Sequence, residues 1–292
     1  MYLSSDWKDY EIIAASNGEK LERWGNIVLL RPEPQAVWEY PYKFDKNAIH
    51  AHYLRSNSGG GMWDYKKTLP DSWTIQYKDL RFVVRPTGFK HTGLFPEQAV
   101  NWDIMRQICE NEKRPLKILN LFAYTGGATV ALTASNALVV HVDAAKGMAS
   151  WAKENLLAPG LVDKPVKIII EDCLKFVLRE IRRGNKYDGI LMDPPSYGRG
   201  PNGELWKIET DLFPLVQECV KLMSDNCLFF FINSYTTGLA PSVLDSVLKC
   251  AIKQNGHIES DEIGLPITAG KLTLPCGATG RWLSRSAYNK LK

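Results

Sequence analysis

The chain has 292 residues, which is enough for one large domain or for a medium-sized domain with a smaller one. Its composition, 45% apolar and 23% charged, is typical of a soluble globular protein. It lacks the uninterrupted apolar run of about 18 residues that a transmembrane helix requires, so no membrane partner is expected. The net charge of +4 is compatible with a nucleic-acid partner but does not require one.

The cysteines and the N-terminal residues indicate a cytoplasmic protein. The six cysteines are scattered without CxxC pairs, which argues against a zinc site and against a disulfide framework. The N-terminus mixes acids and bases and lacks the apolar core of a secretory signal. His50 and His52 could share one face of a strand, but the sequence places no third ligand beside them, so no metal site is expected.

Residues 1–90 are predicted to form a small β-rich domain. The stretches 26–32, 73–80 and 81–86 are short, rich in β-branched or aromatic residues, and bounded by Pro, Gly, Asn or Asp. The glycine-containing stretch 55–73 is predicted to be a loop. This N-terminal domain is a candidate for substrate recognition.

From residue 91 onward the sequence alternates between helical and strand patterns. The spacing of Val100, Ile104 and Ile108 predicts a helix, and five strands separated by helices follow between residues 117 and 235. Strands that are apolar on both faces and alternate with helices indicate a parallel sheet covered on both sides. The fold class is therefore α/β, with a doubly wound Rossmann-like sheet in a domain covering 91–292. Ligands of such sheets bind at the carboxyl ends of the strands.

Each of the five predicted strands ends in residues that could bind a ligand. Because the carboxyl ends of parallel strands lie at one edge of a sheet, we expect these residues to form a single site. In chain order they are Tyr124–Gly127, Asp143, Asp172, Asp193 and Asn233–Tyr235.

The glycine-bearing loop Tyr124–Gly127 would let backbone N–H groups at a helix start approach a ligand. It lacks the phosphate-loop pattern and a clean GxGxxG, so nucleoside triphosphate hydrolysis and dinucleotide binding are disfavoured. A tight turn that serves only helix packing is the alternative. Asp143 could accept both hydroxyl protons of a ribose, or it could cap the helix that starts near Gly147.

The acids that end the third and fourth strands suggest recognition of amino groups. Asp172 could accept an exocyclic amine such as that of adenine, with helix capping as the alternative. Asp193-Pro194-Pro195 is the strongest single signal, because successive prolines hold an extended turn and remove backbone donors. The carboxylate and nearby carbonyl oxygens could then face a planar, amino-bearing ring on which Tyr197 could stack. An edge-strand proline turn is the alternative.

Together these residues resemble a class I S-adenosylmethionine-dependent methyltransferase. More closely, the chain resembles the family of large-subunit ribosomal RNA cytosine-C5 methyltransferases, from about Gly25 to Trp282. The resemblance implies a seven-stranded methyltransferase sheet. It rests on the stretches GNIVLLRPEPQAVW, TGLFPEQ, LNLFAYTGG, HVDAAKGMASWAKEN, ILMDPPSYGRG and LPCGATGRW.

The resemblance implies a role for each matching residue. Phe122 to Gly126 would hold the methionine end of S-adenosylmethionine. Asp143 would bind its ribose, Asp172 and Cys173 its adenine, and Gln98 would close over the cofactor. The implied catalytic residues, facing the methyl acceptor, are Asp193, Pro194, Pro195 and Tyr197. The implied cofactor-binding residues are Gln98, Asn120, Phe122, Ala123, Tyr124, Thr125, Gly126, Asp143, Ala144, Asp172, Cys173 and Asp193.

Two features of the family are missing from the sequence. Addition to carbon-5 of cytosine needs a thiolate, which the family carries after the fifth strand, whereas this chain has INSYTTGL there. The N-terminal RNA-binding module of the larger relatives is replaced by a short β-rich region. Asp193-Pro194-Pro195 suits a nitrogen acceptor better. However, Ser196 stands where amino-group methyltransferases usually have an aromatic residue, and this leaves the acceptor atom open.

The sequence leaves three functions open. The first is methylation of a base in RNA, with ribosomal RNA the favoured class and Tyr197 stacking on the base. The second is methylation of a small molecule or a protein side chain, and the third is a non-catalytic RNA-binding assembly factor. The oligomeric state is open too, with a homodimer among the alternatives. Phosphate contacts are expected from Arg81, Arg85, Lys90, Arg199 and Lys207.

Overall fold

The computed structural model describes residues 1–56, 60–135, 137–161, 163–199, 203 and 205–292. The chain divides into two units, which are Met1–Ala99 with Gly264–Cys276, and Val100–Ile263 with Gly277–Lys292. The division at residue 90 stays a prediction about domains. The structural units differ from it because they assign 91–99 and 264–276 to the first unit.

The first unit is built mainly from strands. β2, β3 and β4 form an antiparallel meander, β5 joins β4 in parallel, β6 pairs with β5 antiparallel, and β7 and β8 form a separate hairpin. The predicted loop 55–73 therefore contains a strand, β6, and Gly59 of that stretch lies outside the described residues. The strands are β1 (Tyr2–Leu3), β2 (Tyr10–Ser16), β3 (Glu19–Trp24), β4 (Ile27–Pro32), β5 (Ala51–Arg55), β6 (Gly61–Tyr65), β7 (Trp73–Tyr77) and β8 (Leu80–Val84).

A buried ion pair lies in the core of the first unit. Arg31 of β4 donates to both carboxylate oxygens of Glu22 on β3, at 2.6 and 2.9 Å, and the Tyr10 hydroxyl donates to the same carboxylate at 2.6 Å. Burial alone would raise the pKa of Glu22, but Arg31 and the nearby Lys20 lower it to about 2. The charges therefore stay ionised and paired inside the unit.

The second unit alternates helices and strands as the sequence predicts. It begins with α1, and its last two strands extend into the first unit. The helices are α1 (Ala99–Glu110), α2 (Gly127–Ala134), α3 (Lys146–Leu157), α4 (Cys173–Arg182), α5 (Ile208–Val220), α6 (Pro241–Ala251) and α7 (Arg285–Leu291). The strands are β9 (Lys117–Leu121), β10 (Leu138–Asp143), β11 (Val166–Ile170), β12 (Gly189–Met192), β13 (Tyr197–Arg199), β14 (Leu205–Lys207), β15 (Phe229–Ser234), β16 (Gly256–Ile267) and β17 (Leu272–Ser284).

The order of strands in the second unit confirms the predicted doubly wound, seven-stranded sheet. The order is β11-β10-β9-β12-β15-β17-β16. The first five strands in this order pair in parallel, and β17 pairs antiparallel with β15. Every residue of β12 and β15 is buried, as expected for strands covered on both faces. The carboxyl ends of β10, β9 and β12 are therefore adjacent at one edge.

None of the helices in the described part of the chain combines the length and the apolar character that a bilayer crossing requires.

Candidate functional site

The loop that follows β9 has an unusual backbone conformation. Phe122, Tyr124 and Gly126 have φ angles of 52°, 51° and 84°, so three residues of a short segment are left-handed. For Phe122 and Tyr124 this conformation costs about 1–2 kcal/mol each, because the Cβ crowds the following carbonyl. Strain of this kind persists where surrounding contacts enforce it, and it is concentrated at functional sites.

Gly126 is required at the end of this loop for two reasons. Its left-handed φ suits glycine, and a Cβ at this position would lie 3.1 Å from the Cβ of Ala152 on α3. Thr125, next to it, is buried, and its carbonyl oxygen accepts a 2.8 Å hydrogen bond from Asn155 on α3. Helix α3 therefore fixes the loop through this hydrogen bond. Asn155 is a residue of the candidate site that the sequence analysis missed.

Asn120 lies inside the unit rather than at the open edge. Its Nδ2 donates to Thr129 Oγ1 on α2 at 3.0 Å, and that hydroxyl lies 2.9 Å from Nδ1 of His141 on β10. All three side chains are buried, and burial lowers the pKa of His141 to about 4. The arrangement joins β9, α2 and β10, and the predicted cofactor contact of Asn120 stays a prediction.

Asp143 links the end of β10 to the left-handed loop. Its Oδ2 accepts the Tyr124 N–H and its Oδ1 accepts the Ala145 N–H, both at 2.8 Å. Burial raises the pKa of Asp143, and the two backbone hydrogen bonds act in the opposite direction. Each carboxylate oxygen can accept a further hydrogen bond, so the geometry is compatible with ribose hydroxyls as donors. Ala144 lies exposed beside it.

Asp172 and Cys173 form the start of α4. Asp172 caps this helix, because its Oδ1 accepts the Lys175 N–H at 2.9 Å, which is the alternative that the sequence left open. Cys173 is buried, and its Sγ accepts the Phe122 N–H at 3.3 Å. Burial raises the pKa of the Cys173 thiol well above its usual range, so the sulfur is a neutral acceptor that holds the loop.

Asp193 begins the turn after β12. Its N–H donates to the Leu121 carbonyl of neighbouring β9 at 3.4 Å, which fixes the turn beside the left-handed loop. Pro194 is buried and Pro195 is exposed. The Pro195 carbonyl accepts a 2.6 Å hydrogen bond from the indole of Trp206, so this carbonyl already has a donor.

The hairpin of β13 and β14 places one aromatic side chain against the loop and the other on the opposite face. Trp206 lies across from Gly198, and its ring centroid is 5.1 Å from that of Phe122. Tyr197 pairs with Lys207, which puts both on the other face, since side chains alternate along a strand. Tyr197 is 55% exposed. Trp206, which the sequence analysis missed, is therefore the aromatic residue in contact with the loop, and the stacking role of Tyr197 stays a prediction.

A buried hydrogen-bond network lies at the end of β15. Asn233 Oδ1 accepts a 2.9 Å hydrogen bond from Asn101 of α1, whose Oδ1 accepts one from Arg281 Nε of β17 at 2.9 Å. All three residues are buried, as is Ser234. Asn101 of α1 therefore joins β15 and β17.

Gln98 belongs to the first unit, where it ends the 3-10 turn Pro96–Gln98 and is buried. Its predicted closure over a cofactor stays a prediction. Among the described residues, no group of three His, Cys, Asp or Glu side chains is arranged to hold a metal ion. Hydrogen bonds thus connect the left-handed loop directly with Asp143 and Cys173, and the Asp193 turn is bonded to Leu121, the last residue of β9 before the loop.

Comparison with known proteins identifies the family. A sequence model of S-adenosylmethionine-dependent methyltransferases matches residues 42–214. The crystal structure of a SAM-dependent methyltransferase from Agrobacterium tumefaciens superimposes with a TM-score of 0.93 at 34% identity, covering 97% of this chain and 93% of that one. The chain belongs to the S-adenosylmethionine-dependent methyltransferase family. It is therefore an enzyme with S-adenosylmethionine as its cofactor.

Other relatives match over parts of their length. Ribosomal RNA large subunit methyltransferase K/L of Shewanella frigidimarina is 31% identical over 53% of this methyltransferase but only 21% of its own length. Ribosomal RNA large subunit methyltransferase K of Neisseria meningitidis serogroup B is 29% identical, over 78% of this chain and 65% of its own. A candidate SAM-dependent methyltransferase from Streptococcus mutans, at 17% identity and a TM-score of 0.73, shares the fold over 95% of this chain and 76% of its own.

The donors and acceptors at this edge fit the cofactor. S-adenosylmethionine carries a ribose with two hydroxyl donors, and both oxygens of Asp143 retain acceptor capacity beside the loop. The N-terminus of α2 follows Gly126 directly, and helix N-termini favour carboxylates such as that of the methionine portion.

Proposed function

We propose that the enzyme transfers the methyl group of S-adenosylmethionine to a base in RNA, with large-subunit ribosomal RNA as the substrate class. The observation that carries the proposal is the hydrogen-bonded edge at which the left-handed loop, Asp143 and Asp193 meet. The names of the Shewanella and Neisseria relatives support the choice of RNA. A ribosomal RNA substrate agrees with the cytoplasmic location that the reduced cysteines predict.

The residues of the edge divide the binding of the cofactor among them. Phe122 to Gly126, with Ala123 and Thr125 among them, would surround the methionine portion. Asp143 would accept the ribose hydroxyls, and Asp172 with Cys173 would border the adenine. The cofactor supplies an electrophilic methyl group bound to a sulfonium. The task of the protein is to hold the acceptor in line with that methyl and to exclude water.

A nitrogen acceptor is consistent with the state of the cysteines. Methylation of carbon-5 of cytosine would need a thiolate beside the base. Cys173 is buried as a neutral acceptor for the Phe122 N–H, and Cys227 precedes β15 at the opposite edge, where burial raises its pKa to about 12. A base nitrogen has its own lone pair and requires only alignment. The Asp193 carboxylate would accept a hydrogen bond from the acceptor nitrogen.

The turn at Asp193-Pro194-Pro195 would position the acceptor base. The Trp206 indole donates to the Pro195 carbonyl of this turn, and its ring packs against Phe122. The β13–β14 pair would therefore hold the acceptor base in a fixed position relative to the cofactor. Tyr197 on the exposed face of the hairpin would contact the RNA. Arg199 and Lys207, exposed on the same face, would approach phosphates.

The test is a transfer reaction with isotopically labelled S-adenosylmethionine and unmodified ribosomal RNA, followed by digestion to nucleosides and identification of the labelled nucleoside by mass. The Asp193→Ala variant should lose transfer while it still binds the cofactor, as measured by calorimetry. Asp225→Ala is the matched control, because Asp225 is an exposed aspartate that precedes β15 at the opposite edge. This variant should retain wild-type turnover.

The outcomes separate the alternatives. Turnover retained in Asp193→Ala would contradict the role given to this carboxylate, and a label on carbon-5 of cytosine would contradict a nitrogen acceptor. Label on a small molecule or protein with none on RNA would refute the substrate class. RNA binding should also weaken steeply with salt, whereas turnover of a neutral small acceptor should not.

A further inference from the structure

A cavity of about 830 Å³ lies in the first unit, over one face of β3, β4 and β5. Its floor is a row of side chains across the sheet, because Leu21 pairs with Leu30 and Leu30 pairs with His52. Cavities that bind small ligands have volumes of roughly 300–1,000 Å³. None of the residues assigned above to methyl transfer lines this cavity.

One wall of the cavity is the segment 39–47, whose position is fixed by the sheet. The Tyr40 N–H donates to Ser16 Oγ at 2.9 Å. The Tyr40 ring lies so close to Gly270 that a Cβ there would be 2.5 Å from the ring. The hydrogen bond thus attaches the wall to the end of β2, and the Tyr40 ring packs it against Gly270.

The surfaces of the cavity suit a flat aromatic ligand. Tyr42 and Phe44 line the wall, and Phe44 also packs against the apolar cluster that contains Leu21. Tyr42 is 40% exposed, so part of its ring is available at the mouth of the cavity. An aromatic wall above a floor of leucines offers a stacking face and an apolar support for a planar ring.

Polar groups at two ends of the cavity could read the edge of such a ring. Glu19 Oε1 lies 2.7 Å from Nε2 of His52 at the floor, and Asn47 lies exposed at the mouth. Carboxylate, imidazole and amide groups together provide both donors and acceptors. This mixture matches the edge of a nucleobase better than that of a hydrocarbon ring.

The charge around the cavity favours an anion next to the ring. Lys46, Lys66 and Lys67 line it, against the carboxylates of Glu19 and Glu39. Lys66 is paired with the carboxylate of Asp64, outside the cavity, and Glu19 is engaged by His52. Lys46 and Lys67 outnumber Glu39, the remaining carboxylate of the lining, and could provide positive charge for a phosphate attached to the ring.

The position of Lys67 is set by the backbone. The N–H groups of Lys66 and Lys67 both donate to the His50 carbonyl, at 2.9 and 3.1 Å. Burial and the charge of Lys67 lower the pKa of His50, in agreement with a lysine held near this imidazole.

We propose that this cavity binds one unstacked nucleotide of the RNA substrate, distinct from the nucleotide that is methylated. The base stacks on Tyr42, and its phosphate lies near Lys67. The proposal rests on the proposed methylation of RNA, and it gives the first unit the task of recognising single-stranded RNA. Recognition of unpaired bases by aromatic side chains and of phosphates by lysines is the common mode for such RNA.

The test measures the affinity of a fluorescently labelled, single-stranded RNA oligomer of mixed sequence by anisotropy, without cofactor. Loss of one stacked base weakens binding about 5- to 150-fold, so Tyr42→Ala should weaken it in this range and Tyr42→Phe should not. Tyr65→Ala is the matched control. Tyr65 is 56% exposed on neighbouring β6, is absent from the cavity lining, and should change affinity less than twofold.

A second measurement tests the phosphate contact. The slope of log K against log salt is negative and should become less steep by about 0.7 in Lys67→Ala, which corresponds to the loss of one phosphate contact on a single strand. Lys253→Ala, at an exposed lysine after α6, should leave the slope unchanged. Equal effects of the two tyrosine-to-alanine variants, or a slope unchanged by Lys67→Ala, would overturn the proposal, as would displacement of the RNA by an acidic peptide at equal concentration.

The outcome is separable from that of the proposed function, because binding is measured without methyl transfer. If ribosomal RNA takes up no label while Tyr42→Ala still weakens RNA binding, the proposed reaction is wrong and the cavity assignment stands. If RNA is methylated and Tyr42→Ala binds like the wild type, the reaction stands and the cavity assignment is wrong.

Discussion

Replacement of Gly126 by alanine tests whether the shape of the loop is set by close contact with α3. Gly126 has a φ of 84°, and an added Cβ would lie 3.1 Å from the Cβ of Ala152. Favourable carbon–carbon contacts lie at about 3.5–4.0 Å, so the new methyl group would push against the helix. Gly126→Ala therefore combines backbone strain with overpacking.

The magnitude follows from these two terms. A left-handed alanine costs about 1–2 kcal/mol, and overpacking of a closely packed contact adds about 1–3 kcal/mol. We expect Gly126→Ala to lower the free energy of unfolding by about 2–5 kcal/mol. Gly184→Ala is the matched control, because Gly184 has a φ of 66° and no atom would lie within 4 Å of its Cβ. It should cost only about 1–2 kcal/mol.

The assay is urea unfolding, with the midpoint compared at unchanged slope. The double variant Gly126→Ala with Ala152→Gly removes the methyl group that the new Cβ meets. A double-mutant cycle should therefore show a favourable coupling of about 1 kcal/mol or more, even though glycine within α3 itself costs about 1 kcal/mol. Equal losses in Gly126→Ala and Gly184→Ala, with no coupling to Ala152, would refute the reasoning. Cofactor affinity should fall in Gly126→Ala and stay unchanged in Gly184→Ala.

Two further variants test the interior of the site. Burial keeps the pKa of His141 at about 4, below the usual histidine value of about 6.5, so the unfolded chain takes up a proton in this interval before the folded chain does. The associated stability, at most about 3 kcal/mol, is present above pH 6.5 and is lost as the pH falls toward 4. Urea midpoints measured from pH 7 to 4.5 should therefore fall less steeply in His141→Gln, and parallel curves for the two proteins would contradict the assignment. Cys173→Ala should lower the free energy of unfolding by about 1–3 kcal/mol, because the Phe122 N–H loses its acceptor, while labelled methyl transfer continues. A folded Cys173→Ala protein without transfer activity would show that the thiol takes part in the reaction.

The α/β part of the fold could be predicted because its strands carry an unambiguous signal. Phe229–Ser234 is buried at every position, and such a run between helical patterns is typical of a parallel sheet. The acids at the strand ends then predict a site at the edge where these carboxyl ends meet. Both inferences depend on local pattern alone, so no tertiary information was needed.

Strands of the first unit were missed where tertiary partners decide burial. β3 has the sequence EKLERW, and its charges obscure the alternation expected of a half-buried strand. Glu22 is nevertheless fully buried, because Arg31 and Tyr10 supply its hydrogen bonds from neighbouring strands. A sequence pattern cannot show that a carboxylate has such partners, since they come from other segments.

The role of Trp206 could not be predicted for a related reason. β13 and β14 are three residues each, too short for a periodic signal. Only the pairing of Gly198 with Trp206 turns the indole toward Phe122 and away from the face that carries Tyr197. The sequence indicated an aromatic residue beside the Asp193 turn, but the hairpin register determines which aromatic contacts the loop.

Asp143 and Asp172, the two acids for which helix capping was the alternative, make different local contacts. Asp172 uses one oxygen to cap α4. Asp143 makes a similar local bond to Ala145 and uses its other oxygen for the Tyr124 N–H, whose direction depends on the left-handed φ of Tyr124. The strained loop and the carboxylate thus hold each other, and burial raises the pKa of Asp143 while the two backbone donors act in the opposite direction. A residue that only capped a helix would not need the strained loop, so the conformation of Tyr124 is the stronger indication that Asp143 is held for a ligand.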